Sequence, residues 1–189
     1  MSQSVNTKDR LIWSAVKVFS EKGYFNAKIS DIVKEAGLAQ GTFYLYFSSK
    51  EDIFFQIIEL IIEQIQEVID RYKHQKHKED IKQVIHSFSK EMFFLFNQYR
   101  EVAYIYFFQL LCMQEKFKEL YISTYEKFIQ FYIELLSEYR DREILAGMIV
   151  SFAEKLFKLD ILIKHKNVET VISEFNEGVE ILLKGAVES

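Results

Sequence analysis

Between Gln40 and Lys50 the chain reads Q-G-T-F-Y-L-Y-F-S-S-K. Phe43 and Phe47 stand one helical turn apart and should face inward, which leaves Gln40, Thr42, Tyr44, Leu45 and Tyr46 outward. A glutamine amide can pair bidentately with adenine in the major groove. A leucine can touch a thymine methyl, and threonine and tyrosine hydroxyls can donate to phosphate. Lys50, at the start of the next helix, stands where its ammonium could meet a further phosphate. The other use for Tyr44 and Tyr46 is to hold that following helix in place.

Such side chains act only if short helices present them. The segment I-S-D-I-V-K-E-A-G-L-A predicts a helix over about 30–36 and a tight turn at Gly37, with a second short helix over about 40–47. This is the layout of a helix-turn-helix, whose second helix lies in the major groove of DNA. A first helix is expected over 7–22. Leu11, Ile12, Ala15, Val16 and Phe19 form its buried face, Asn6 or Thr7 its cap, and Gly23 its stop. Ser48 with Glu51 reads as a capping box opening a long helix whose isoleucines repeat from Ile53 to Ile69. After a polar loop at 71–78, five more helices are expected, over about 79–97, 100–113, 115–139, 142–165 and 168–186. The fold class is therefore all-α with about nine helices. Residues 1–50 would form a three-helix DNA-binding domain and residues 51–189 a helical body.

Composition agrees. The 189 residues include no proline and six glycines, so little interrupts helices. The net charge of −4 argues against a chain that coats DNA along its whole surface. Residues 1–50 nevertheless carry +3 and the remainder −7, as suits contact with phosphates at one end only. Met1 to Asp9 is mostly polar, so no leader is expected there, and the longest nearly apolar run, Val102 to Met113, is too short to cross a bilayer. The single Cys112 allows no internal disulfide, and a cytoplasmic location is expected.

The run I-S-D-I-V-K-E-A-G-L-A-Q-G-T-F-Y-L-Y-F-S-S-K-E-D-I, with A-V-K-V-F-S-E-K-G-Y upstream, resembles the signature of the TetR family of transcriptional regulators. It covers about residues 8–60; beyond that the likeness is one of length and helical pattern. The resemblance implies a homodimer in which Gln40, Gly41, Thr42, Tyr44, Tyr46 and Lys50 contact a double-stranded DNA operator, Gly41 by permitting close backbone approach. One position departs. The family often opens helix two with Thr or Ser, whose hydroxyl binds phosphate, and here Lys28 stands there. Its charge could substitute without the same geometry, and Ser30, just inside the helix, could still reach the backbone.

In the body, aromatic residues crowd between Phe88 and Tyr139. An aromatic core and a ligand pocket both fit that density, and the resemblance implies an effector pocket among the middle helices. Its candidates are Phe93, Phe96, Tyr104, Phe107, Phe108, Tyr121, Tyr125, Phe128, Phe152, Glu154 and Lys158. An apolar or aromatic small-molecule effector would follow: an acyl chain, a flat aromatic compound or a lipophilic cation. Most charges on the helix over 142–165 are expected in solvent or at a dimer rim. The last two helices have more apolar surface than one core needs. Ile144, Met148, Phe152, Leu156, Val171, Phe175, Val179 and Leu182 are the expected homodimer interface.

No metal, cofactor or catalytic motif is legible. His74, His77, His86 and His165 lie in no recognisable constellation, and the chain has no phosphate-binding glycine loop and no H-E-x-x-H pair. An enzyme and a storage protein without DNA are the weaker alternatives. The expected function is a ligand-responsive dimeric regulator, with repression the expected sense, released from a near-palindromic operator by its effector.

Overall fold

A computed structural model of the chain describes residues 6–73, 80–108, 110–112 and 114–187. Among these, every regular element is helical. His74 and His77 lie outside them, as does the side chain of Cys112.

Helix α1 (Thr7–Lys22) starts where the Asn6 side chain accepts the Asp9 N–H at 2.9 Å, and stops at Gly23, whose φ of 73° favours glycine. Leu11, Ile12, Ala15, Val18 and Phe19 form its buried face; Val16 is only partly buried. Helix α2 (Ile29–Glu35) is opened by the Asp31 carboxylate, which accepts the Lys28 N–H at 3.0 Å. Two ion pairs tie α2 to α1, Lys17–Glu35 at 2.6 Å and Lys22–Asp31 at 2.7 Å. Arg10 reaches across to the Ala36 carbonyl at 2.5 Å, beside Gly37, whose φ of 62° makes the turn.

Helix α3 (Gln40–Phe43) ends earlier than the expected Phe47. Leu45 N–H donates to Thr42 O at 3.3 Å and Tyr46 N–H to Phe43 O at 3.0 Å, the three-residue pattern of a tightened turn. Phe43 and Phe47 still pack together, with ring centroids 5.5 Å apart.

Helix α4 (Lys50–Lys73) starts one residue out of the expected register. Ser49 Oγ accepts from Asp52 N–H at 3.1 Å, and the Asp52 carboxylate accepts from Ser48 N–H at 2.8 Å. Asp52, rather than Glu51, sits at the third helical position because the helix begins at Lys50. Its 24 residues span about 36 Å, and Ile53 to Ile69 bury a continuous stripe. Each such side chain stabilises by about 1.5–3 kcal/mol. The apolar core runs uninterrupted from Leu11 to Leu183, so α4 joins the first three helices to the body without a linker.

The body comprises α5 (Ile81–Gln98), α6 (Arg100–Phe108), α7 (Glu115–Leu135), α8 (Arg142–Lys155) and α9 (Val168–Val187). A 3₁₀ turn, Leu110–Cys112, follows α6 and cuts short the helix expected to reach residue 113. The helix expected over 142–165 changes character at Leu156, where eight residues, Leu156–Ile163, form a π-helix. Asp160 is buried there, an exception among this helix's charges, most of which are expected in solvent or at a rim. It is tolerated because Lys155 and Lys164 donate to its two oxygens at 2.7 and 2.8 Å, with Lys166 at 3.5 Å. Those hydrogen bonds hold the Asp160 carboxyl well below the usual carboxylate range.

Candidate nucleic-acid interface and effector cavity

The ion-paired frame of α1 and α2 leaves one face of α3 and its following turn bare. Gln40 and Gly41 are exposed, Thr42 is half-buried, and Tyr44, Leu45 and Tyr46 are exposed at 54, 80 and 42%. Nothing stands within 4 Å of where a Cβ on Gly41 would be, so the protein itself does not need glycine there. Lys28 and Ser30 are exposed at the start of α2. Leu45 in particular presents a large apolar side chain to water, a conspicuous feature on a rigid turn.

Lys50 does not belong to this bare face. Its ammonium donates to the carbonyls of Tyr24 at 2.9 Å, Ala27 at 3.1 Å and Phe25 at 3.4 Å, and lies 4.6 Å from the centre of the Tyr24 ring. Its donors are directed into the α1–α2 connector, away from the outward role expected of it. The reason is local: the connector's carbonyls have no helical partners, and Lys50 supplies them.

In the body, α5, α6, α7 and α8 surround an aromatic cavity of about 80 Å³. Phe93, Phe96, Phe107, Tyr121, Tyr125, Phe128 and Glu154 line it as expected. The wall also includes Phe88, Ser89 and Met92 of α5, Tyr106 of α6, Tyr132 of α7, Val150 and Ala153 of α8, and Phe157 of the π-helix. The α5 set, Phe88 to Phe96, repeats at helical spacing and could have been read from the sequence. Phe157 could not, because the π-helix changes which residues face inward.

Four candidates lie off the wall. Tyr104 and Phe108, one turn apart on the outer side of α6, lean on each other with centroids 4.8 Å apart and planes tilted by 41°, and stay partly exposed. Phe152 packs against α9, where its ring stacks on Phe175. Lys158 stands behind Glu154, its ammonium 3.1 Å from the carboxylate and 5.6 Å from the Phe108 ring centre.

The cavity's polar atoms already have partners. Tyr121 donates to Glu154 at 2.8 Å, and the Ser89 and Tyr132 hydroxyls share a hydrogen bond of 3.1 Å. Burial pushes the Tyr106, Tyr121 and Tyr132 hydroxyls up from the ordinary tyrosine range, so all three are neutral hydroxyls. Phe96 and Tyr106 form a partition: their other sides line a gap of about 10 Å³ against Ile58, Ile61, Ile62 and Ile65 of α4.

Of the expected dimer residues, Leu156, Val171, Phe175 and Val179 are buried within the protomer, because α9 packs on α5, α8 and the π-helix. They are core. Phe152 and Leu182 are half-buried. Ile144 and Met148 are exposed at 64 and 46%, joined by Leu159, Ile163 and Ile181, which the sequence reading left out.

Residues 11–57 match the family model described as bacterial regulatory proteins, tetR family, and residues 83–182 that of the tetracyclin repressor-like C-terminal domain. The chain belongs to the tetR family. Among tetR-like relatives, the uncharacterized HTH-type transcriptional regulator YvdT of Bacillus subtilis is 34% identical over 126 residues, 65% of this chain and 63% of that protein's length. A transcriptional regulator of the TerR/AcrR family from Aquifex aeolicus superposes with a TM-score of 0.79 at 26% identity, over 94% of this chain and 99% of its own. The regulator FadR of Bacillus subtilis, solved in complex with stearoyl-CoA, shares the fold, with a TM-score of 0.72 at 23% identity over 93% of this chain and 97% of its own. No helix among the described residues of this tetR-family protein is long and apolar enough to cross a membrane.

Proposed function

We propose that this tetR-family protein is a dimeric, ligand-responsive transcriptional repressor. Residues 1–50 would read a half-site of a near-palindromic operator, and residues 51–189 would sense an apolar small molecule and pair with a second copy. The observation that carries the reading is the bare face of Gln40, Gly41, Thr42, Tyr44, Leu45 and Tyr46 on an ion-paired frame. Gln40 and Leu45 suit base edges, and the hydroxyls of Thr42, Tyr44 and Tyr46 suit phosphates. Lys28 and Ser30 flank them for further backbone contact.

The exposed Ile144, Met148, Leu159, Ile163 and Ile181 supply apolar surface for a two-fold contact between the last helices. Coupling follows from the partition. A cavity of about 80 Å³ is smaller than a drug-sized ligand, so occupancy has to displace rings. Phe96 and Tyr106 back directly onto α4, whose first residues are tied to the α1–α2 connector by Lys50. Helix α6 also packs on α1. A ligand that favours the displaced arrangement would change the spacing of the two reading heads, and by linkage operator DNA would weaken the ligand.

Selection of bound sequences from random duplex DNA at physiological salt tests this. A two-fold symmetric motif is the expected result. No enrichment by folded protein, with and without cell extract, would overturn it.

A further inference from the structure

The wall of the aromatic cavity has an uneven charge pattern. Among the described residues it contains one carboxylate, Glu154, and no lysine, arginine or histidine. The rest is mostly ring surface. Aromatic faces carry the negative side of a quadrupole, so rings and carboxylate act in the same sense. An anionic headgroup placed here would meet the Glu154 carboxylate, whose basic partner, Lys158, stands outside the wall.

Glu154 is answered by two donors of different standing. Tyr121 is itself part of the wall and holds the carboxylate at 2.8 Å. Lys158 is outside the wall, one turn along the helix, at 3.1 Å, with 29% of its side chain exposed. Its ammonium lies between two attractions, the carboxylate and the face of Phe108. The long stem lets it leave the first for water while keeping the second, and a partly solvated pair of this kind contributes little. Elsewhere in the lining the Ser89 and Tyr132 hydroxyls satisfy each other and require nothing of a ligand.

We propose that the effector of this cavity is an organic monocation with a ring-sized apolar body, which takes the Glu154 carboxylate over from Lys158. The inference rests on reading the body as an effector-binding module. Lys158 is then a resident counter-ion that neutralises Glu154 while the cavity is empty and withdraws to Phe108 and solvent when a ligand charge arrives. A shielded charge, such as a quaternary ammonium or a delocalised heteroaromatic cation, suits the site best. It loses less hydration on entering a ring-lined space than a primary ammonium does.

The test is calorimetric titration of the full chain, without DNA, against benzyltrimethylammonium, its uncharged isostere neopentylbenzene, and octanoate. The cation should bind at least about tenfold more tightly than either, the scale of a desolvated cation–π contact. Glu154→Gln should lower cation affinity by about tenfold and leave the isostere unchanged. Lys158→Met should raise cation affinity, because the competitor is gone; a Glu154–Lys158 bridge that only braces the helix would not give that sign. Equal or better binding of octanoate or the isostere, indifference to Glu154→Gln, weaker cation binding by Lys158→Met, or no binding of any probe would overturn the proposal. Melting curves establish that both variants fold, and if Glu154→Gln does not, wild type against Lys158→Met still decides. Operator selection uses ligand-free protein, so a failure there rejects the regulator reading separately from the ligand preference.

Discussion

Phe152 lies over Gly178: a Cβ built on that glycine would stand 2.4 Å from Cε1 of the Phe152 ring, which itself stacks on Phe175 at 5.9 Å and 18° between planes. The contact joins α8 to α9 and explains why Phe152 is neither a cavity residue nor a free interface residue. Gly178→Ala should destabilise the protein by about 1–3 kcal/mol, the usual cost of overpacking. Thermal unfolding measures it, and pairing the change with Phe152→Leu should recover part of the loss. An unchanged melting temperature for Gly178→Ala alone would mean the ring moves aside freely.

Lys50 bonds three connector carbonyls, so its removal should act first on folding. Lys50→Ala is expected to cost about 1 kcal/mol, the lower end of the scale for leaving acceptors unsatisfied, because these carbonyls are at most partly buried. DNA binding should weaken equally for all sequences. Full stability with a reduced salt slope of DNA binding would instead return Lys50 to the phosphate role.

Gln40 and Gly41 separate recognition from stability. Both are exposed and touch nothing that folding needs. Gln40→Ala should leave the melting temperature unchanged and relax preference at one base position by about 1–3 kcal/mol. Gly41→Ala should match or exceed wild-type stability, since alanine favours helix. It should also bind operator more weakly, because on the proposed reading the added methyl would stand between the backbone and DNA. Undiminished operator affinity in both would argue against α3 as the reading element.

Asp160 sets an acid limb of stability. Lys155 and Lys164 depress its folded pKa, so its contribution is complete above the unfolded-state value, about 3.9, and is lost as pH falls through the depressed folded value. Unfolding free energy measured from neutral pH downward should therefore decline once pH drops below about 5. Asp160→Asn should lower stability at neutral pH, where the lysines lose their counter-charge, and make that decline shallower. Parallel profiles for the two proteins would show that the cluster does not contribute.

Helix existence and the exposed face from Gln40 to Tyr46 were legible from sequence because both depend on local periodicity. Phe43 and Phe47 had to turn in, which forced Tyr44, Leu45 and Tyr46 out, and the isoleucines of α4 repeat too regularly to form anything else. The crowding of aromatics fitted a core and a cavity equally, and the family resemblance supplied the expectation of a cavity. What local pattern cannot supply is which of two apolar faces meets which neighbour. Val171, Phe175 and Val179 had the pattern of an interface, and only packing against α5 and α8 made them core. Lys50 had the sequence of a phosphate contact, and only the fold brought the unpaired carbonyls of Tyr24 and Ala27 within its reach. Phe157 entered the cavity and Asp160 the interior through a π-helix that no spacing rule anticipates. The sequence alone determined which residues form helices and which side chains of the turn from Gln40 to Tyr46 face outward, because those follow from neighbours along the chain. The tertiary structure decided partners, since burial and hydrogen-bond satisfaction depend on groups far apart in sequence.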